Sequence, residues 1–278
     1  MKKYVRTGLL VLLVIVFAVS LVRISWQLIG YHQGEQDYSD AEDLAKPPAE
    51  PEPELPAVSE PEEPAAPIEV LEALSQVDLG ALREVNEEVL GWILIPDTGV
   101  DYPMVQGTDN DYYLNHTWKR SRNSMGAIFL DYRCSGNLLD GNTVIYGHRM
   151  NNKSMFGLLH QYKEQQYFEA HPDIYIVDET GCYRYAIFAA YEADANGGKT
   201  YIVRFSSKEK KQEYLDYCLG MSVIDAGFVP GVDERVITLS TCTGNGHETR
   251  WVVQAALQEA IPLEKTAPES ELSTEEAL

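Results

Sequence analysis

Short β-branched and aromatic stretches, separated by turn residues, dominate the middle of this 278-residue chain. Gly, Pro, Asn and Asp between such stretches are typical of strand ends. Many short strands with few helices favour a closed or nearly closed β-barrel. The sequence therefore predicts a mainly β fold of about eight strands, at 92–95, 101–105, 127–132, 143–146, 173–177, 182–193, 235–241 and 250–257.

Two helical segments are expected beside these strands. Asp78 is a residue type that caps helix N-termini. Apolar side chains come after it at helical spacing, which predicts a helix packed on the barrel: Leu79, Leu82, Val85 and Val89. A second helix-like stretch, 208–219, lies between two of the later strands.

An apolar run without charge occupies positions 7–22, directly after a basic N-terminus. Its length is close to the roughly 20 residues that a membrane span needs when flanking side chains snorkel. A cleavable signal peptide is the competing interpretation, because positions 18–20 resemble a weak cleavage site. We favour an uncleaved membrane anchor, which with its N-terminal stub comprises residues 1–33. The basic residues before this run predict a cytoplasmic N-terminus. They are Lys2, Lys3 and Arg6.

Acidic segments lie on both sides of the predicted barrel. Residues 34–69 are rich in Pro, Glu and Ala, which predicts an extended spacer. Residues 259–278 are acidic and poor in aromatics, which predicts disorder. Much of the net charge of −21 lies in these segments, and this acidity argues against nucleic-acid binding. The folded domain is therefore expected at 70–258.

Cys242 ends one predicted strand, and Arg250 begins the next. If the two strands form a hairpin, these residues lie side by side at one rim of the sheet. A thiol beside a fixed positive charge is biased toward the thiolate, which is the nucleophilic form. Strand alternation places Cys242 on the side opposite Ile237 and Leu239, away from the purely aliphatic face.

His148 comes just after the predicted strand 143–146, so it too is expected at a rim. Histidine exchanges protons near neutral pH, which suits acyl transfer with a cysteine nucleophile. His247 is a rival because it lies close to Cys242 in sequence. Its Gly-flanked loop makes it a poor choice for fixed geometry, however. His116 is a weaker rival.

The remaining cysteines do not suggest a disulfide framework or a metal site. They are few and scattered, and no Cys-x-x-Cys pair is present. We expect Cys134, Cys182 and Cys218 to be small buried hydrophobes, and we expect no metal and no cofactor. Instead of acting beside Cys242, Arg250 could form an ion pair with Glu248 on the surface, and the sequence leaves this alternative open.

Three motifs in order resemble those of a sortase: Tyr146-Gly147-His148-Arg149-Met150, then Ser154-Met155-Phe156, then Thr238-Leu239-Ser240-Thr241-Cys242 with Arg250. The Met-Phe pair and the two helical segments indicate a class B sortase, and the resemblance covers about residues 70–258. It implies a sortase-type closed barrel with an N-terminal helical segment and a helix between later strands.

The resemblance also implies a reaction. A class B sortase is a cysteine transpeptidase that cleaves an Asn-Pro-x-Thr sorting signal after Thr and transfers the protein to a cell-wall amine through a thioester. It implies that His148, Cys242 and Arg250 are catalytic. The implied lining of the peptide groove is Asn110, Leu114, Ser240, Thr241, Tyr201 and Ile202.

The implied partners are surface proteins with a C-terminal sorting signal, a peptidoglycan precursor or pilin amine, and the cell membrane, with the catalytic domain outside the cell. The chain departs from the class B pattern at Arg149, where Asn is expected, and at Thr243, where an acidic residue often comes after the cysteine. A pilin-polymerising sortase, a hydrolytic cysteine endopeptidase and a non-catalytic surface module stay open as alternatives.

Overall fold

The computed structural model of the protein describes residues 2–46, 66–243 and 248–263. Eight strands close into a barrel, which confirms the predicted fold class. Around the barrel the strands lie in the order first, second, third, fourth, seventh, eighth, sixth and fifth. Their bounds are β1 Val89–Ile95, β2 Val100–Val105, β3 Ile128–Leu130, β4 Asn142–Tyr146, β5 Asp173–Asp178, β6 Gly181–Asp194, β7 Val236–Cys242 and β8 Thr249–Pro262.

Two of the strand pairs are parallel, β2 with β3 and β4 with β7, and the others are antiparallel. The long β6 and β8 pair along almost their whole length, with shifts in register near Arg184 and Ile187. β7 therefore lies between a parallel neighbour and an antiparallel one.

The described helices flank the barrel. Asp78 caps the third of them, as predicted, because its Oδ1 accepts a hydrogen bond of 2.9 Å from the backbone of Ala81. Val89 belongs to β1 and not to this helix. The helix predicted at 208–219 is present between β6 and β7. The bounds are α1 Lys2–Ala45, α2 Pro67–Leu74, α3 Leu79–Val85, α4 Gln165–Ala170 and α5 Lys208–Met221, with 3₁₀ helices at Tyr112–Leu114 and Leu159–Lys163.

Alternation along β7 divides its side chains between two hydrophobic clusters. Ile237 and Leu239 belong to the larger cluster. Val236 belongs to the smaller one, together with Leu215 of α5. Because side chains alternate along a strand, Cys242 lies on the same face as Val236. The predicted orientation is thus the observed one, and the face that carries Cys242 is the face that α5 covers.

The structure differs from the predicted spacer at 34–69, because α1 continues to Ala45. Tyr38, Ala41 and Ala45 lie on one face of the helix and are buried against the domain. This apolar stripe packs against the domain, although the composition of the segment as a whole is acidic. The proline run begins at position 47, where helix is disfavoured. Residues 47–65, to which the prediction of an extended spacer still applies, lie outside the described residues.

The structure also differs at the start of the predicted tail, because β8 continues to Pro262. Residues 259–262 pair with the first residues of β6, and Arg184 forms an ion pair with Glu259 at 3.4 Å. Backbone pairing with a long neighbour orders this segment despite its acidity. The prediction of disorder for positions 264–278 concerns residues outside the described part of the chain.

The described residues contain one helix that is long and apolar enough to cross a membrane, at Arg6–Ala45. None of its most apolar stretch is buried in the domain. By length and composition this helix is a candidate membrane anchor.

We expect Asp78→Ala to lower the free energy of unfolding by about 1 kcal/mol, because the first turn of α3 loses its side-chain cap. Urea denaturation monitored by circular dichroism measures this. Glu84→Ala, which changes an exposed acidic residue within α3, is the control and is expected to change stability by less than about 0.5 kcal/mol. Equal losses in the two variants would contradict the capping role.

Candidate active site

The register of two strands sets Cys242 beside Arg250. Cys242 is the last residue of β7, and it is the direct partner of Arg250 in the ladder with β8. Directly opposed residues of an antiparallel pair project to the same face, with Cβ atoms about 4.5–5.5 Å apart. Both side chains are half-buried. The hairpin predicted from sequence therefore forms, and it places the side chains of Cys242 and Arg250 on the same face.

His148 reaches the same place from the other side of β7. In the parallel ladder of β4 and β7, Tyr146 is the partner of Ser240. The backbone of Gly147 donates a 3.2 Å hydrogen bond to the Ser240 carbonyl, which extends the pairing by one residue. His148 therefore lies at the level of Cys242. All three predicted catalytic residues line one cavity of about 230 Å³ at the rim of the barrel.

One hydrogen bond defines which nitrogen of the neutral His148 ring carries the proton. Its Nε2 lies 2.7 Å from the backbone carbonyl of Leu114. A carbonyl oxygen can only accept, so Nε2 must carry the proton and donate. Nδ1 of the neutral ring is then the nitrogen that is left to accept a proton.

Most of the predicted substrate-binding residues line the same cavity. They are Asn110, Leu114, Tyr201, Ser240 and Thr241. The hydroxyl of Tyr201 lies 3.1 Å from the Ser240 hydroxyl. Burial raises the pKa of Tyr201, so this hydroxyl stays protonated. Ile202 does not line the cavity. It lines a neighbouring cleft beside Phe205, and its carbonyl accepts a hydrogen bond from Asn142.

Two aromatic walls of the cavity, Phe129 and Tyr146, were not predicted from the sequence. Their ring centroids lie 5.4 Å apart. The Tyr146 hydroxyl donates a 2.9 Å hydrogen bond to the buried carboxylate of Asp131. Tyr146 stands directly before the Gly-His motif, but its place beside Ser240 follows from the pairing of β4 with β7. Phe129 gave no such signal, because only tertiary pairing of β3 brings it here.

Asp131 stays ionised beneath this wall. Burial alone would raise its pKa, but hydrogen bonds from Arg133 and Tyr146 outweigh burial and hold the pKa below its usual range. The Arg133 guanidinium reaches this carboxylate at 2.6 and 2.8 Å. A fully buried charge is costly unless it is paired, and Arg133 provides the pair for Asp131. The carboxylate in turn holds Tyr146 in place through the hydrogen bond from its hydroxyl.

The two positions that depart from the class B pattern contact each other. The Arg149 side chain donates a hydrogen bond to the backbone carbonyl of Thr243, directly after Cys242. The Thr243 hydroxyl lies 2.9 Å from the hydroxyl of Thr249 at the start of β8. Thr243 is thus tied to β8 through Thr249 and to the loop after β4 through Arg149.

The other cysteines and His116 lie outside this cavity lining. Cys134, Cys182 and Cys218 are free and buried, as expected. Burial raises the pKa of Cys134 to about 12 and that of Cys182 to about 11. The His116 ring stacks on Tyr112, with centroids 4.0 Å apart, outside the cavity lining. His247 lies outside the described residues.

Among the described residues, no group of His, Cys, Asp and Glu could hold a metal ion. The lining of the cavity includes a thiol, an imidazole and a guanidinium, those of Cys242, His148 and Arg250. A thiol nucleophile, a proton carrier and a cation that can stabilise an oxyanion are the parts needed for acyl transfer.

Comparison with known proteins agrees with this chemistry. The family model of the sortase domain matches residues 93–258. Sortase B of Listeria monocytogenes is 38% identical over 183 residues, which is 65% of this chain and 74% of the relative.

Two solved structures, a Staphylococcus aureus sortase B–substrate complex and a sortase B complexed with triglycine, each have a TM-score of 0.62 and 31% identity. Each match covers 67% of this chain and 86% of the other. With the family model, the relative and the fold in agreement, the chain belongs to the sortase family, as a sortase B-type cysteine transpeptidase.

Proposed function

We propose that this protein cleaves an Asn-Pro-x-Thr sorting signal after Thr and joins the Thr carbonyl to an amine of the cell wall, through a thioester on Cys242. Sortases act on sorting signals and amine acceptors, which supports the substrate class. The observation that carries the residue roles is the cross-strand pairing of Cys242 with Arg250 in a cavity shared with His148.

The first half of the reaction makes the thioester. The Cys242 thiolate attacks the carbonyl carbon of Thr in the peptide bond between Thr and the next residue, and the carbonyl electrons move to oxygen. Arg250 stabilises this oxyanion, because its guanidinium is always charged and presents several N–H donors. The oxyanion then collapses, the C–N bond breaks, and protonated His148 gives its Nδ1 proton to the departing amine.

The second half consumes the thioester. Neutral His148 takes a proton from the incoming amine, whose nitrogen attacks the thioester carbonyl. The C–S bond breaks, an amide forms and the Cys242 thiolate is regenerated. The Nε2–H bond to Leu114 holds the ring in the tautomer that this exchange requires.

The cavity wall suits an extended peptide. Asn110, Ser240 and Tyr201 offer polar atoms, while Leu114 adds apolar surface. Pockets that combine apolar walls with a few polar groups fix the orientation of a ligand. In our proposal Ile202 contacts the signal only where the peptide extends into the neighbouring cleft.

The apolar part of α1 is an uncleaved anchor in this proposal, with a cytoplasmic N-terminus and the catalytic domain outside. Basic residues before the span and the acidic character of the segment after it support this orientation. The partners are then surface proteins that carry the sorting signal, and an amine of peptidoglycan or its precursor. An amine on a pilin is the alternative acceptor.

The reaction type is tested by mass spectrometry of the products from an Asn-Pro-x-Thr peptide. With added triglycine, we expect the Thr carbonyl joined to the glycine amine. A pilin-polymerising enzyme would prefer a peptide that carries the acceptor lysine. A product that is only the free acid at every amine concentration would identify a hydrolytic endopeptidase and reject transpeptidation.

Substitution tests the nucleophile and the base. Cys242→Ala should abolish cleavage, because the thioester forms on the Cys242 sulfur. His148→Ala should lower kcat by roughly 10²–10⁴-fold through loss of proton transfer. His247→Ala is the control and should retain turnover. Cleavage of a fluorogenic peptide measures all three, and full turnover by the His148 variant would refute its assignment as the base.

Two substitutions of Arg250 separate the effect of its charge from the effect of its geometry. We expect Arg250→Ala to lower kcat by about 10²–10³-fold, the usual cost of one oxyanion donor. Arg250→Lys keeps the charge without the planar fork, so it should recover only part of that loss. Steady-state kinetics measures both variants. An Arg250→Ala enzyme with wild-type kcat and raised KM would assign Arg250 to substrate binding alone.

A further inference from the structure

We propose that Tyr38 of the anchor helix is a positioning residue for His148, so that docking of α1 on the domain supports the active site. This role rests on the proposed function. The part of α1 that contacts the domain, residues 30–45, is the docked segment, and residues 113–126 are the supporting loop.

The docked segment is held to the supporting loop by directional contacts. The indole Nε1 of Trp118 donates a 2.6 Å hydrogen bond to the Asp37 carbonyl, and the Thr117 hydroxyl donates one of 2.7 Å to the Asp37 carboxylate. The Asn123 side chain donates at 2.8 Å to the carbonyl of Gly30. Thr117 and Trp118 are fully buried. This helix face is therefore a built interface.

Tyr38 makes the contact that reaches toward the cavity. Its side chain is 6% exposed, and its ring packs edge-on against Tyr102 with centroids 5.2 Å apart. Its hydroxyl donates a 2.6 Å hydrogen bond to the backbone carbonyl of Gly126. The carbonyl can only accept, so this bond has one direction and fixes the peptide of Gly126 against α1.

Gly126 in turn packs against the histidine ring. A Cβ at this position would lie 2.8 Å from Cδ2 of His148, 2.7 Å from the Tyr113 carbonyl and 3.0 Å from the Leu114 carbonyl. Its φ of +62° is also one that only glycine adopts without strain. The backbone of Gly126 thus fills the space beside the ring atom next to Nε2.

Three links therefore connect the helix to the base. Tyr38 holds Gly126, Gly126 borders the ring, and the Leu114 carbonyl in the same loop accepts from Nε2. The supporting loop contains one short 3₁₀ helix and a β-bridge between His116 and Arg122, and the docked segment packs against it through Asp37 and Tyr38. Catalysis asks for side chains held within about 0.5 Å of the productive geometry.

The experiment compares Tyr38→Phe with Tyr162→Phe in the full-length protein in detergent micelles. Tyr162 is the matched control, because it is also buried and its hydroxyl donates a 2.8 Å bond to a backbone carbonyl, that of His171. We expect Tyr38→Phe to lower kcat by roughly 10-fold with KM unchanged, since a misplaced catalytic group affects the chemical step. Tyr162→Phe should stay within about 2-fold of wild type.

A second readout does not need turnover. The ¹⁵N resonances of the His148 ring should shift in Tyr38→Phe and stay in place in Tyr162→Phe. Unchanged kcat and unchanged ring resonances in Tyr38→Phe would overturn the proposal, as would equal losses in the two variants. A wild-type enzyme that turns over no sorting peptide would refute the proposed function instead, and the ring resonances would still decide the role of Tyr38.

Discussion

The register of β7 against its two neighbours is the constraint on which the site depends. Its ladder with β8 opposes Cys242 to Arg250, and its ladder with β4 sets His148 beside the cysteine. A slip of one residue in either ladder would turn one of these side chains to the other face. Ile237 and Leu239 resist such a slip, because it would move them out of the larger hydrophobic cluster. The hydrophobic pattern of one strand thus protects the geometry of the site.

Charge is distributed so that a strongly acidic protein keeps a cationic centre. The described residues place two guanidinium groups, those of Arg250 and Arg149, close to the end of β7. The buried carboxylate behind the cavity wall, that of Asp131, is neutralised by Arg133. Its negative charge is therefore compensated locally and adds little repulsion toward a thiolate.

α1 links the apolar N-terminal stretch of the described chain to the domain that carries this centre. Composition alone places residues 34–45 with the acidic spacer, yet Tyr38, Ala41 and Ala45 form a buried stripe. The stripe is buried because a surface of the domain lies against it. That surface is formed by α3, β2 and the loop that carries Trp118. Similarly, residues 259–262 continue β8 because β6 is long enough to pair with them.

The sequence by itself determined the eight strands, the cap at Asp78 and the alternation along β7, and it predicted that Cys242, His148 and Arg250 lie at one rim of the barrel. These features are local patterns of period, turn and motif, which a linear chain displays directly. Only the tertiary structure decided that Phe129 walls the cavity, that Ile202 lies outside it, and that Leu114 and Gly126 border the histidine ring. Those contacts join residues far apart in the chain, and they exist only once the barrel closes and α1 docks.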